Sequence, residues 1–389
     1  MVRGRGFSLI ELVIATGLTT AVLAGVFAML HPARGAFQTA VEVADIQQRL
    51  RVAVDTLTRD LAMAGSGAYA AGRAGPLIYT FAPVLPFRQG QSGADPVGTF
   101  RTDTITLISV PSTAAQTTLA ADLIPGTLTL QTATAPGCPI GSNLCGFAAG
   151  MTVIVYDETG NVGVFTIAAV DDAAAQLTLT ARLANTPATT YTRGSNVVEA
   201  SLHVYYLKAD LASQTFQLMH YDGTANGDVP VVDHIVGLTF AFHGDPLPPT
   251  LTAAGQASYG PAPPAVGAQT TAYPAGENCV FLIDPPSGER IPRLQTLTAA
   301  TALAPLTAAQ LVDGPWCPDA VNPNRWDADL LRIRRVEIRI RVEAALSALR
   351  GPAGVLFTNG GTSREPARWA PDQEIRFQVS PRNMSLARE

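Results

Sequence analysis

The sequence predicts an α+β fold in which one long N-terminal helix packs on an antiparallel β-sheet domain. Three observations predict it: a charge-free apolar run covers residues 12–30, a polar segment with helical periodicity follows to about residue 65, and segments of alternating polarity fill much of the remainder. At 389 residues the chain is long enough for one large domain or two small ones with a sizeable core.

The composition indicates a globular, loop-rich chain. Hydrophobic residues make up 47% and charged residues 15%, with 34 Gly and 29 Pro. The formal net charge of −5 provides no general attraction to nucleic acid, so no nucleic-acid partner is expected.

The apolar run is long enough to cross a membrane. Leu12 to Leu30 contains 19 residues without a charge, and at about 1.5 Å per residue such a helix spans most of a ~30 Å hydrocarbon core. Arg3 and Arg5 precede the run, which favours a cytoplasmic N-terminus and export of the chain beyond the run.

An ordinary secretory signal is the alternative interpretation of this start. Two features count against it. No small-residue cleavage site follows the run, where His31, Pro32, Ala33 and Arg34 stand. Glu11 also lies inside the apolar segment, with Leu9 and Ile10 before it, where an unpaired carboxylate costs about 2.5 kcal/mol or more. This carboxylate therefore requires a partner.

The residues Gly6 to Ala15, G-F-S-L-I-E-L-V-I-A, resemble the cleavage and methylation motif of type IV pilins and type II secretion pseudopilins. The resemblance implies that residues 1–6 are a leader, that a prepilin peptidase cuts after Gly6, and that the new amine of Phe7 is methylated. It also implies that Glu11 pairs with the N-terminal amine of a neighbouring subunit during assembly.

After Pro32 the helical pattern continues with one apolar stripe. Gly65 and Gly67 are suitable terminators. The predicted organisation is pilin-like: a transmembrane and filament-core helix over 7–30, its amphipathic continuation over 31–65, and an exported β-rich domain over 66–389. The stripe consists of Val43, Ile46, Leu50, Ala53, Leu57 and Leu61.

Beyond residue 77, segments with a period of two predict strands. The clearest, RRVEIRIRVEA, places four apolar residues from Val336 to Val342 on one face and charges of both signs on the other. The remaining predicted strands are Thr104–Val110, Thr127–Ala133, Thr152–Glu158, Val164–Val170, Gln176–Leu183, Ser201–Leu207, Thr215–Tyr221 and Glu374–Ser380.

Four cysteines lie on the side that would be exported, and an even number there indicates disulfides. Three pairings are open. Pairing Cys138 with Cys145 and Cys279 with Cys317 is preferred because short loops close at lower entropic cost. The second pair falls in a Pro/Gly-rich insertion at about 244–330, which contains a non-periodic loop from Gly244 to Glu277.

Three further segments, at 51–65, 231–245 and 369–384, resemble the W-type minor pilins, PilW. This resemblance implies a role in pilus assembly or initiation. It also implies a single-pass inner-membrane location with a periplasmic C-terminal domain, followed by transfer to the pilus fibre and cell surface of a Gram-negative bacterium. The implied partners are the prepilin peptidase, other major and minor pilins, the inner-membrane assembly platform and a tip adhesin.

The J-type pseudopilins of type II secretion share this start and remain an alternative. A membrane-tethered exported enzyme or a DNA-uptake binding pilin is the alternative of another class. The sequence contains no G-x-S-x-G, H-E-x-x-H, phosphate-binding loop or CxxC pair, so we expect neither catalysis nor a cofactor. The five histidines follow no known ligand spacing, so no metal site is predicted: His31, His203, His220, His234 and His243.

Overall fold

The computed structural model describes part of the chain. The described residues are 8–67, 82–89, 95–100, 103–111, 115–157, 162–180, 190–211, 215–223, 228–246, 281–283, 285–286, 290–292, 302–312, 316–317, 326–350 and 370–384. The predicted cleavage junction, Gly6 and Phe7, lies outside this part, and so do Cys279 and most of the loop from Gly244 to Glu277.

Helix α1 extends from Leu9 to Met63, 55 residues in all, and continues through Pro32. It begins with a capping arrangement. The carbonyl of Ser8 accepts the first helical hydrogen bond, from the Leu12 N–H at 3.1 Å. The Glu11 carboxylate accepts from the Ser8 N–H at 2.9 Å, as the acidic residue of an S-x-x-E box does.

The two ends of α1 differ in exposure. From Leu9 to Met29 the helix has a mean hydropathy of 2.1 and none of it is buried. By length and composition this segment is able to span a membrane. A signal sequence near an N-terminus has the same length and composition. Farther along, the predicted stripe is buried at Ile46, Leu50, Ala53, Leu57 and Leu61. The predicted change from an apolar to an amphipathic helix is therefore present.

The strands beyond α1 are mostly short. In chain order they are β1 (Val84–Leu85), β2 (Ile105–Ser109), β3 (Gln116–Thr118), β4 (Thr129–Gln131), β5 (Thr152–Tyr156), β6 (Val162–Asp171), β7 (Gln176–Thr180), β8 (Asn196–Glu199), β9 (Ser201–Asp210), β10 (Thr215–Tyr221), β11 (Val229–Asp233), β12 (Ile235–Gly244), β13 (Phe281–Ile283), β14 (Arg290–Pro292), β15 (Ala304–Leu306), β16 (Trp316–Cys317), β17 (Trp326–Asp327), β18 (Ile333–Val342) and β19 (Gln373–Val379).

These strands form three larger sheets. One has the order β1-β2-β9-β10-β11, a second β3-β8-β5-β6-β7-β4, and a third β15-β12-β18-β19. The strands pair antiparallel, as the period-two segments predict. The α+β class with a helix packed on antiparallel sheet is confirmed.

The core of the six-stranded sheet consists of aliphatic and aromatic side chains that are nearly inaccessible to solvent. Phe165, Tyr191 and Val153 are examples, with at most 1% of their surface exposed. Strand β18 has the predicted alternation: Val336, Ile338, Ile340 and Val342 are fully buried. Some of the charged side chains on the outer face form ion pairs, since Glu337 lies 2.8 Å from Arg376 of β19.

Contacts within the chain group it into two compact units, residues 1–51 with 341–374 and residues 52–340 with 375–389. In the first unit, the buried Glu42 accepts hydrogen bonds from the backbone N–H groups of Ala345 and Leu346 at 2.8 and 3.3 Å. Arg350 donates to the Ala344 carbonyl at 2.6 Å and lies 3.3 Å from Glu343. The second unit contains the five-stranded and six-stranded sheets together with the last turns of α1.

Candidate functional site

Three of the predicted site residues have side chains within the described part of the chain: Glu11, Cys138 and Cys145. Glu11 lies in the first turn of α1, exposed, and accepts a hydrogen bond from the Ser8 N–H. Cys138 and Cys145 form a disulfide, which is the pairing predicted for them. The second predicted pairing includes Cys279, which lies outside the described residues.

The disulfide closes a short loop that one carboxylate holds in place. Oδ1 of Asp172 accepts from the Leu144 N–H at 2.6 Å, from the Asn143 N–H at 3.0 Å and from the Ser142 hydroxyl at 3.0 Å. These hydrogen bonds stabilise the charged form and lower the pKa of Asp172, and the bond from the Leu144 N–H has the largest effect. The arrangement is structural, since every donor belongs to the loop itself.

A different set of residues converges where α1 meets the five-stranded sheet. His203 and Tyr205 lie two positions apart on β9 and therefore share one face. His220 on β10 pairs directly with Tyr205 in the antiparallel register, which places it on that face too. Asp60, in the last turn of α1, completes the group. We call Asp60, His203 and His220 the DHH cluster.

The donor atoms of the DHH cluster lie close together. Nδ1 of His203 is 3.2 Å from Oδ2 of Asp60 and 2.9 Å from Nε2 of His220. One ligand atom from each of the three residues falls within 4.8 Å of the others. Among the described residues, this is a group of His and carboxylate side chains whose ligand atoms lie close enough together to hold one metal ion.

The Asp60 carboxylate is held from two sides. Its Oδ2 accepts a short hydrogen bond from the Tyr205 hydroxyl, and Nε of Arg59 lies 3.3 Å from Oδ1. Asp60 is 7% exposed and Tyr205 is fully buried. Burial, followed by the bond to Asp60, raises the pKa of Tyr205 above its usual range, so the phenol remains protonated and acts as the donor.

Ring contacts also position the two histidines. The His203 and His220 rings lie edge to edge and nearly in one plane, with centroids 5.1 Å apart, while the His220 ring stacks on Tyr205 with centroids 4.9 Å apart. Burial lowers the pKa of both histidines, against the opposing attraction of Asp60. Both imidazoles are therefore neutral at neutral pH, and each carries one nitrogen lone pair.

A second polar cluster in the same unit is a charge-balanced network. Arg88 lies beside Asp95 and is 3.4 Å from Asp228, while Lys208 is 2.9 Å from Asp95 and 3.5 Å from Asp228. The Arg88 guanidinium also lies 4.0 Å above the ring of Tyr206. Two cations and two carboxylates balance one another in charge here, which is the arrangement of a structural ion-pair network.

The DHH cluster is not among the features that the sequence predicts. The strands that carry His203 and His220 are predicted, and pairing them as a hairpin would place both rings on one face. No sequence signal places Asp60 beside them, since it comes from a distant helix. Of the other histidines, His234 lies between β11 and β12 and His243 lies on β12, apart from the cluster, while the His31 side chain lies outside the described part.

No family model, no curated protein and no solved structure matches the chain.

Proposed function

We propose that the chain is a minor subunit of a type IV pilus, processed by a prepilin peptidase and acting through assembly. The observation that carries the proposal is the junction of the G-F-S-L-I-E motif at residues 6–11 with an apolar helix that is exposed from Leu9 to Met29. The same helix continues into a half that packs on antiparallel sheet. This combination is what the resemblance to pilins implies.

The exposed apolar segment requires a cover. Side chains such as Leu18 and Phe27 are 64% and 66% exposed, and soluble monomers rarely expose apolar patches larger than a few hundred Å². A pilus subunit covers this surface twice, first with inner-membrane lipid and then with the helices of neighbouring subunits. Partners in this role are the other pilins and the inner-membrane assembly platform, with a tip adhesin at the end of the fibre.

Glu11 supports the proposal because its local partner, the Ser8 N–H, does not neutralise the charge of the carboxylate. The Ser8 N–H satisfies one carboxylate oxygen, but a backbone amide carries no formal charge. A carboxylate at the edge of an apolar segment is stabilised further by a cation. The methylated amine of Phe7 in a neighbouring subunit is the cation that the pilin resemblance supplies.

Substitutions at Glu11 separate capping from charge pairing. Glu11→Gln retains an acceptor for the Ser8 N–H, since Gln also fills this position of a capping box, but it removes the charge. Glu11→Ala removes both. The matched control is Asp45→Ala, which removes a 44% exposed carboxylate from the same helix and the ion pair with Arg49, a type of pair worth little.

The measurement is the amount of each variant in filaments sheared from cells, relative to its amount in membranes. We expect both Glu11 variants to be depleted and Asp45→Ala to be incorporated normally. Normal incorporation of Glu11→Gln would contradict the amine pairing. If the wild-type chain is absent from sheared pili and its loss blocks protein secretion instead, the subunit belongs to a type II secretion pseudopilus.

A further inference from the structure

We propose that Asp60, His203 and His220 bind a divalent transition-metal ion, with zinc as the ion that best suits two imidazoles and one carboxylate. This site is independent of the proposed pilus function, because it depends on α1 and the five-stranded sheet and on no other subunit. The ion would join the last turn of α1 to strands β9 and β10.

The spacing of the ligand atoms fits tetrahedral coordination. Zinc binds imidazole nitrogen at about 2.0–2.1 Å and carboxylate oxygen at about 2.0–2.2 Å, so two ligand atoms of a tetrahedral site lie roughly 3.3 Å apart. The Asp60 Oδ2 to His203 Nδ1 distance is 3.2 Å, and the His203 Nδ1 to His220 Nε2 distance is 2.9 Å. An ion is accommodated by small side-chain shifts.

Hydrogen bonding alone satisfies the cluster poorly. If Nδ1 of His203 carries its proton, that single proton is shared between Oδ2 of Asp60 and Nε2 of His220. If Nε2 of His220 carries the proton instead, the lone pair on Nδ1 of His203 faces the carboxylate. A metal ion accepts one lone pair from each of the three atoms and removes the conflict.

The surroundings orient the ligands as metal sites commonly require. Tyr205 donates to the Asp60 oxygen that faces His203, and hydrogen bonds of this kind fix the orientation of a ligating carboxylate. Stacking on Tyr205 positions the His220 ring. The His203 side chain is 24% exposed, which gives an ion access to the cluster and leaves the fourth tetrahedral position to water.

The experiment measures zinc binding to the full-length chain in detergent micelles after treatment with EDTA. Isothermal titration gives the stoichiometry and the dissociation constant, and Ca²⁺ and Mg²⁺ serve as hard-ion controls. The variants are His203→Ala, His220→Ala and Asp60→Asn, the last of which keeps an acceptor for the Tyr205 hydroxyl. His243→Ala is the matched control, because it removes a histidine of β12 that is not part of the cluster.

We expect one zinc ion per wild-type chain, loss of saturable binding in the two cluster histidine variants, and unchanged binding in His243→Ala. Tyr205→Phe should weaken binding roughly tenfold, as loss of an outer-shell partner does. Zinc should raise the Tm of the wild type and of His243→Ala but not of His203→Ala, because an ion that binds only the folded state stabilises it.

Cobalt(II) bound to the wild-type chain provides a readout that needs no variant. We expect the intense visible absorption of a four-coordinate site with nitrogen and oxygen ligands, and zinc should displace it. The proposal is overturned if the wild type binds no zinc, if His243→Ala loses as much binding as His203→Ala, or if Ca²⁺ binds as tightly as zinc.

Discussion

At the scale of single residues, Tyr205 shows how a strand position acquires a role that its strand pattern does not reveal. The segment SLHVYYL predicts only a strand, and Tyr205 is fully buried within it. Its hydroxyl, however, donates to the 7% exposed Asp60 carboxylate. A buried carboxylate is costly unless it is hydrogen-bonded, so this bond stabilises the contact between α1 and β9.

Tyr205→Phe should lower the free energy of unfolding by about 1.5–3 kcal/mol, because a hydrogen bond to a charged group is lost inside the protein. Chemical denaturation of the full-length chain in detergent and EDTA measures this. In an Asp60→Asn background the same change should cost about half as much, since the bond is then between neutral groups. An equal cost in both backgrounds would contradict the assignment.

The carboxyl group of Asp372 should make the stability of the folded state depend on pH. Burial raises its pKa from 3.8 to about 6, although Arg341 opposes the shift from 3.7 Å away. The folded state therefore binds more protons than the unfolded state between about pH 4 and pH 6, and this residue makes stability fall as the pH rises through that window.

Asp372→Asn removes this contribution. Relative to the wild type, the variant should gain about 1 kcal/mol of stability on going from pH 4 to pH 7.5, a figure reduced to allow for solvent screening. Chemical denaturation gives the free energy of unfolding of both proteins at pH 4 and pH 7.5. The difference between variant and wild type at pH 4 serves as the baseline for the difference at pH 7.5. A difference that is the same at both values would show that Asp372 ionises normally in the folded state.

At the scale of elements, the end of β12 requires glycine. A Cβ at Gly244 would overlap the backbone of Arg332, with the carbonyl carbon only 2.7 Å away, and would lie 2.8 Å from a methyl group of Leu306. Real Cβ atoms do not approach other atoms so closely, so the strand has to shift. The Asp245 N–H donates to the same Arg332 carbonyl at 3.1 Å, and that bond shifts with it.

Gly244→Ala should destabilise the chain by about 3 kcal/mol, as overpacking against rigid backbone does. Gly25→Ala is the matched control, because nothing lies within 4 Å of a Cβ added there and Ala favours a helix. Thermal unfolding of the two variants in detergent should show a large fall in Tm for the first and none for the second. Equal Tm values would mean that a Cβ atom fits at position 244 without displacing the strand.

The elements also show what sequence alone is able to predict. Strand β18 is predictable because its period-two pattern of apolar and charged residues holds from Val336 to Val342, and α1 is predictable because its apolar run and stripe are long. Strands β11 and β12 escape prediction because their burial does not alternate regularly. The predicted strand Thr127–Ala133 is longer than β4 because propensity does not specify where pairing partners end.

The DHH cluster marks a second limit of sequence interpretation. His203 and His220 belong to predicted neighbouring strands, so their proximity follows from a hairpin once the register is known. The register itself depends on packing, and Asp60 reaches the site only because α1 lies on this sheet. Convergence of this kind depends on tertiary structure, and the spacing of the three residues in the sequence does not predict it.

At the scale of the whole molecule, the exposed first half of α1 is the feature on which the proposed membrane location depends. Leu18, which is 64% exposed, lies near the middle of the apolar segment Leu9–Met29. Leu18→Arg should reduce membrane retention of the precursor, because Arg at the centre of a spanning helix costs about 2.5–3.5 kcal/mol. Leu18→Ile is the conservative control, and fractionation of cells measures both. Equal retention would show that lipid does not cover this face.

The N-terminal residue of the mature protein tests the proposed pilus function most directly. Mass spectrometry of the chain purified from its native membranes or filaments identifies it, together with any methyl group on the amine. We expect Phe7 with a methylated amine. An intact Met1, or a new N-terminus beyond Leu30 where an ordinary signal sequence would be removed, would contradict the proposed processing and with it the assembly role of the helix.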